Sequence, residues 1–189
     1  MKKLLLTCAA LPSFCFGIEE MVTITRVVDG DTVIIERDNG SQERLRIVGI
    51  DTPEIVANNR PVECYGSEAS TYAKQLLPTN STVTFVHENK KDKYDRSLGY
   101  LSLVNGEDFG EVMIRDGYAY AYRSFNHKRR SLYIRTESQA RLQKNGLWDD
   151  DACRYSEQSI DQTVSTWRDI FNFFHKARQI IESILSIIN

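Results

Sequence analysis

Six residues have types and spacing that suggest chemistry. Asp31 opens an apolar stretch just after the turn Asp29-Gly30, and Asp51 closes the run Ile47-Val48-Gly49-Ile50, followed by Thr52, Pro53 and Glu54. If the two stretches are neighbouring antiparallel strands, the start of one and the end of the other share an edge, and Asp31 and Asp51 meet. Two carboxylates so placed repel unless a cation lies between them. Hard oxygen donors, with the Thr52 carbonyl as a third, suit Ca²⁺ or Mg²⁺, and no soft ligand is near. The same two pieces read equally well as a plain turn and a plain strand stop. Arg46 and Arg96 tilt the balance, because a guanidinium fork grips phosphate through two parallel hydrogen bonds. Two arginines, a carboxylate pair and the spare acid Glu54 together describe a phosphodiester site. The cation and arginines would offset charge building on a five-coordinate phosphorus, and Glu54 would orient or deprotonate the attacking water.

These residues need a rigid frame. Alternating β-branched residues predict strands over 22–28 and 32–37, and Asp38-Asn39-Gly40-Ser41 is a hairpin turn signal. A third strand runs over 43–50 and ends at the acids. A loop covers 55–65, a helix 66–77 is stopped by Pro78, and strands follow at 82–87 and 98–104 around the charged segment Lys90–Arg96. A short helix over 111–116, an alternating stretch 118–122 and a polar helix 131–144 complete the pattern. Five short antiparallel strands with a helix between the third and fourth predict a mostly β chain with helices: an open five-stranded Greek-key barrel of the OB type, plus three helices.

The first residues read differently. Lys2-Lys3, an apolar run from Leu4 to Leu11 and small residues at Cys15 and Gly17 predict a cleaved signal peptide over 1–17, too short to span a bilayer. Export places the chain outside the cell or in a periplasm. Cys8 and Cys15 would leave with the signal, and Cys64 and Cys153 remain as an even pair in an oxidising compartment. A bridge between them would close a loop of about ninety residues, for about 4–5 kcal/mol in the chain-entropy model. The other reading is two unpaired thiols. The net charge of −2 excludes a globally basic polyanion binder, so any positive field must be local. Lys90, Lys91 and Lys93 form one basic cluster and His127-Lys128-Arg129-Arg130 another.

The tail, residues 156–189, predicts one long helix. Trp167, Ile170, Phe171, Phe174, Ile181 and Ile184 fall on one arc and Arg168, Asn172, Lys176 and Gln179 on the opposite one. Its apolar face requires its own barrel, a second copy of the chain or a membrane surface. The scarcity of lysine and arginine on the polar arc argues against the membrane, and no stable membrane insertion is expected.

The segments VVDGDTV, RLRIVGIDTPE, CYGSEAS, DKYDRSLGY, GYAYAY and SQARLQKNGLW occur in this order across about residues 22–150. Jointly they resemble the staphylococcal nuclease, or thermonuclease, family. The resemblance implies a Ca²⁺-dependent endonuclease on an OB-type barrel that cuts DNA and RNA, breaking the 5′-side P–O bond and leaving 3′-phosphates. It implies that Asp31, Asp51 and the Thr52 carbonyl hold the ion, that Arg46, Glu54 and Arg96 are catalytic, and that Asp29 is an acid just behind the metal. Lys93, Tyr94 and Tyr122 match residues that contact the nucleotide, with Tyr94 placed to stack on a base. Asp95 departs from the pattern, which commonly has glycine there. The cysteine pair and the C-terminal helix lie outside the resemblance. A barrel that binds single strands without cutting them is the competing expectation, and a nuclease cargo carried by a self-associating helix is a third.

Overall fold

The computed structural model describes residues 19–55, 63–153, 167–176 and 178. The expected signal peptide, residues 56–62 of the loop and most of the expected tail helix lie outside them. The first strand, β1, spans Glu19–Val27 and pairs antiparallel with both β2, Thr32–Glu36, and β5, Thr82–Lys91. β2 pairs with β3, Gln42–Ile47, across a turn where Gly40 takes a φ of 76°. β6, Ser97–Ser102, pairs with β5 and closes the ring against β3.

Two features of this ring correct the expected open antiparallel barrel. It is closed, and β3 and β6 run parallel, with Leu45 opposite Ser97 and Ile47 opposite Gly99. A closed ring of five strands cannot alternate direction at every step, so one parallel pair is required. Period-two patterning reports which face of a strand is buried but not the direction of its neighbour. Val22 and Ile24 of β1 point inward, and the register shift between Ile24 and Arg26 lets Val27 rather than Arg26 take the next inward place. Val33, Ile35, Leu45, Ile47, Phe85 and Leu101 complete the barrel interior.

The third strand is shorter than expected. It stops at Ile47, the chain turns at Gly49, and Ile50–Asp51 forms a separate strand, β4, paired with β7, Tyr120–Ala121. Gly49 has a φ of 84°, and a Cβ there would lie 2.2 Å from Cε1 of His127, so both the turn and the packing demand glycine. β5 is longer than expected, because Lys90 and Lys91 stay exposed and extend the ladder through an irregular register. Asn89 adopts a φ of 53° within that irregularity.

Helices cover the barrel. α1, Gly66–Leu76, buries Ala69, Ser70 and Ala73. α2, Phe109–Arg115, starts two residues before the predicted 111, because the Asp108 side chain accepts from the N–H groups of Gly110 (2.8 Å) and Glu111 (3.3 Å). α3, Arg130–Gln143, ends with Lys144 in the left-handed region at a φ of 56°. Tyr133 of α3 is fully buried and donates to Asp108 at 2.9 Å, locking α3 onto α2. A short 3-10 turn, Gly146–Trp148, follows. Cys64 and Cys153 are joined as a disulfide, so the two-thiol reading falls. Residues 167–176 are helical, in line with the expected tail helix over that stretch. Trp167, Phe171, Phe173 and Phe174 are each 66–72% exposed, which goes against packing on the same chain for this part of the helix.

Candidate active site

A cleft of about 480 Å³ opens where the β3–β4 turn, the loop between β5 and β6, and the segment after β7 converge. Arg46 and Asp51 line it on one side, Lys93, Tyr94 and Arg96 on another, and Tyr122 with Phe125 on the third. Of the predicted residues, Arg46, Asp51, Lys93, Tyr94, Arg96 and Tyr122 therefore share one cavity, while Asp31, Thr52 and Glu54 are not among its lining residues.

Arg46 projects from β3 on the face opposite the buried Leu45 and Ile47. Its Nη1 donates to the carbonyls of Ile47 (2.5 Å) and Ile50 (2.9 Å), which fixes it to the turn at Gly49. Its Nη2 lies 2.9 Å from Asp31 Oδ2 and 3.3 Å from Asp51 Oδ1. Asp31 and Asp51 are thus brought together, as strand adjacency predicted, although Asp51 sits on β4 rather than at the end of β3. Asp31 is 6% exposed, and burial pushes its carboxyl up to about 7, against the pull of Arg46 and helped by Asp29. Asp51 is also raised, first by burial. Thr52 is buried, and its N–H faces Asp31 Oδ2 at 3.3 Å.

This donor set fits a hard divalent cation. Two carboxylates converge on one point of positive charge, the Arg46 Nη2, and the more buried of them is expensive to ionise without such a charge. Among the described residues no group of three or more histidine, cysteine or acidic side chains assembles, so a cation here would draw its other oxygens from carbonyls and water.

Arg96 is oriented by a residue that sequence reasoning passed over. Asp92 Oδ2 accepts from Arg96 Nε at 2.7 Å, and Asp92 Oδ1 accepts from the N–H groups of Tyr94 (2.9 Å) and Arg96 (3.0 Å). Burial pushes the Asp92 carboxyl up, but these hydrogen bonds outweigh it and leave it below its ordinary value. An acid four residues before a loop arginine was the available signal. Tyr94 is 67% exposed, with Lys93 Nζ 4.9 Å and Arg96 Cζ 5.4 Å from its ring centre. Across the cleft, Tyr122 and Phe125 lie 5.2 Å apart.

Glu54 has its backbone clasped by Glu63, a residue the sequence reading also missed. The Glu54 N–H donates to Glu63 Oε2 at 3.1 Å and its carbonyl accepts from the Glu63 N–H at 3.0 Å. The Glu54 carboxyl is raised above its usual value, first by burial and then by Asp29, Glu63 and Asp51.

The second basic cluster is partly engaged within the fold. Arg129 pairs with Asp108 and stacks 4.1 Å over the Tyr100 ring, Lys128 reaches Glu88 at 3.3 Å, and His127 packs under Gly49. In the first cluster Lys91 is tied to Asp95 at 2.8 Å. Asp95 itself takes a φ of 61°, which explains why glycine is at home there. Asp95→Gly removes a negative charge beside the cleft and frees Lys91. The variant is expected to lower KM for single-stranded DNA about two- to threefold at low salt, with the gain vanishing at high salt. Steady-state kinetics at two ionic strengths checks this.

The geometry defines a class: a closed OB-type barrel with paired carboxylates and two arginines at the mouth of one cleft. Comparison with known proteins agrees. The profile of the family described as "Staphylococcal nuclease homologue" matches residues 44–150. The thermonuclease of Staphylococcus hyicus is 40% identical over 133 residues, covering 69% of this chain and 76% of that protein. The thermonuclease of Staphylococcus intermedius is 39% identical over 132 residues, covering 69% and 77%. Endonuclease YncB of Bacillus subtilis is 32% identical over 131 residues, covering 67% and 61%. The chain belongs to the staphylococcal nuclease family. It is accordingly a nuclease, a hydrolase of phosphodiester bonds.

Proposed function

We propose that this protein is a secreted or periplasmic, Ca²⁺-dependent endonuclease that hydrolyses DNA and RNA to 3′-phosphate products. The observation that carries the reading is the meeting of Asp31, Asp51 and Arg46 at the mouth of the cleft that also holds Arg96. Asp31, Asp51 and the Thr52 carbonyl would hold the cation, which when bound supplies Lewis-acid polarisation of a phosphate oxygen. Arg46 and Arg96 grip the non-bridging oxygens and offset the charge that grows as water adds to phosphorus. Glu54 takes the proton from that water, and its raised carboxyl makes it a stronger base than a solvated one. The bond to the 5′-oxygen then breaks, and that oxygen takes up a proton from solvent and leaves as a 5′-hydroxyl. Tyr94, Lys93 and Tyr122 steady the flanking nucleotides. A disulfide persists in oxidising compartments, which supports export.

The test is a gel assay of the protein on single- and double-stranded DNA and RNA, with Ca²⁺ and with chelator. Glu54→Ala is expected to lose about 10²–10⁴-fold in single-turnover rate while keeping its fold. Full activity in that variant would remove Glu54 as the water-activating residue. Salt-sensitive retention of single strands without cleavage would favour a binding barrel instead.

A second reading concerns the tail, and it is carried by the exposed aromatics over 167–176. At two-thirds exposure, Trp167, Phe171, Phe173 and Phe174 offer about 400–700 Å² per chain. Two copies together approach the lower range of stable interfaces, about 1,200 Å², so the occupant proposed for this face is a second copy of the chain. Sedimentation is expected to show a size that falls on dilution, and ending the chain after residue 155 should abolish the change. A full-length protein that stays monomeric at high concentration would exclude self-association.

A further inference from the structure

The disulfide lies outside the cleft, yet it is one covalent step from the residue that clasps Glu54. Cys64 and Cys153 have Cα atoms 5.6 Å apart and are separated by 89 positions. Glu63, the immediate neighbour of Cys64, occupies both backbone polar groups of Glu54: its own N–H donates to the Glu54 carbonyl, and its Oε2 accepts from the Glu54 N–H. The start of α1 closes on the same peptide. A Cβ on Gly66 would fall 2.7 Å from the Glu54 carbonyl oxygen, and the Gly66 N–H donates to the Glu63 carbonyl at 3.0 Å. Glu54 itself lies beyond the end of β4 and belongs to no strand or helix. The barrel therefore does not set its position directly. Among the described residues, the hydrogen bonds on its backbone come from Glu63, and the disulfide pins residues 63–66 to the far end of the domain.

We propose that the Cys64–Cys153 disulfide and Glu63 are positioning elements for Glu54, holding the water-activating carboxylate in register with the cleft. The inference rests on the reading of Glu54 given above. A general base works only within hydrogen-bond reach of its proton, and a displacement of about 1 Å is enough to cost about 10²-fold in rate. The groups that grip substrate stand elsewhere. Arg46 is on β3, Lys93, Tyr94 and Arg96 are on the loop held by Asp92 and Lys91, and Tyr122 follows β7. Loosening residues 63–66 leaves that grip intact. The effect should therefore fall on kcat and spare KM, a split that simple loss of stability does not produce.

The experiment uses the full chain. Cys64→Ser/Cys153→Ser, assayed well below its melting temperature with saturating Ca²⁺, is expected to lose about tenfold or more in kcat, with KM for single-stranded DNA within about twofold of the parent. Reduction of the parent protein with dithiothreitol should reproduce the same split. Glu63→Ala, with the disulfide intact, should lower kcat in the same way, and Glu63→Gln, which retains an oxygen acceptor for the Glu54 N–H, should recover most of it. An unchanged kcat in a folded cysteine variant would overturn the proposal, as would a KM rise that accounts for the whole loss. If the cysteine variant does not fold, the Glu63 pair decides alone: equal activities for the alanine and glutamine variants count against the proposal. Full activity in Glu54→Ala would remove the underlying reading. An inactive Glu54→Ala beside an unaffected cysteine variant would remove this inference only.

Discussion

Arg96→Ala is expected to lower kcat on single-stranded DNA by about 10³–10⁵-fold, the range seen when an arginine that neutralises a phosphoryl transition state is removed. The geometry explains the size of the effect. Arg96 stands just before β6 with its side chain 23% exposed, and Asp92 holds one edge of the guanidinium through Nε and Nη2, both 2.7 Å from Oδ2. Among the described residues, the remaining terminal nitrogen, Nη1, makes a long 3.4 Å contact to Thr32 Oγ1. It is the donor free to turn toward phosphate in the cleft. Arg96→Lys should recover little, because an ammonium cannot keep the Asp92 contact and donate to phosphate with the same planar fork. The Arg96–Asp92 pair contributes on the order of 1 kcal/mol to folding, so the melting temperature should fall by only about 2–8 °C. Single-turnover rates together with a thermal melt check both halves. A rate within tenfold of the parent would exclude Arg96 from the transition state.

Asp31→Asn is expected to inactivate the enzyme and yet stabilise the metal-free protein at alkaline pH. The folded state raises the Asp31 carboxyl from 3.8 to about 7, mainly by burial. Between those values the folded chain holds a proton that the unfolded chain has released. Stability therefore falls as pH rises through that window, and the loss is complete above the folded value. About three pK units set an upper bound of about 4 kcal/mol on the loss. Asparagine carries no such penalty. In chelator, the variant and the parent should be alike near pH 4, and the variant should be the more stable at pH 8. Added Ca²⁺ should reverse the order, because ligand that binds only the folded state stabilises it, and the variant has lost one of the two carboxylates. Urea melts from pH 4 to 8, with and without Ca²⁺, provide the measurement. Metal-free parent protein with no pH dependence over that range would mean that Asp31 ionises in the fold at no cost.

Local patterning carried a good share of this protein. Alternation located β1 and β2, and the Asn-Gly pair marked the hairpin that makes β2 and β3 neighbours. That adjacency was enough to bring Asp31 toward Asp51 and to put Arg46 beside both. Two cysteines left after a signal-like leader pointed to a Cys64–Cys153 bridge, which the structure shows. Each of these rests on short-range preferences or on counting, which a linear chain records directly.

The partners that arrive from distant parts of the chain were decided only on folding. Closure of the barrel through the parallel β3–β6 pair, the split of the third strand at Gly49, and the pairing of Asp51 with Tyr120 depend on which edges are left to be satisfied once the neighbours are in place. The basic run at 127–130 looks like a nucleic-acid patch in one dimension. In three, Lys128 and Arg129 are engaged by Glu88, Asp108 and the Tyr100 ring. Glu63 carries no mark of its own in the sequence and Asp92 only its place four residues before Arg96, because a carboxylate that orients an arginine or clasps a backbone is chemically the same as one facing water. What distinguishes them is the company that tertiary structure gives them.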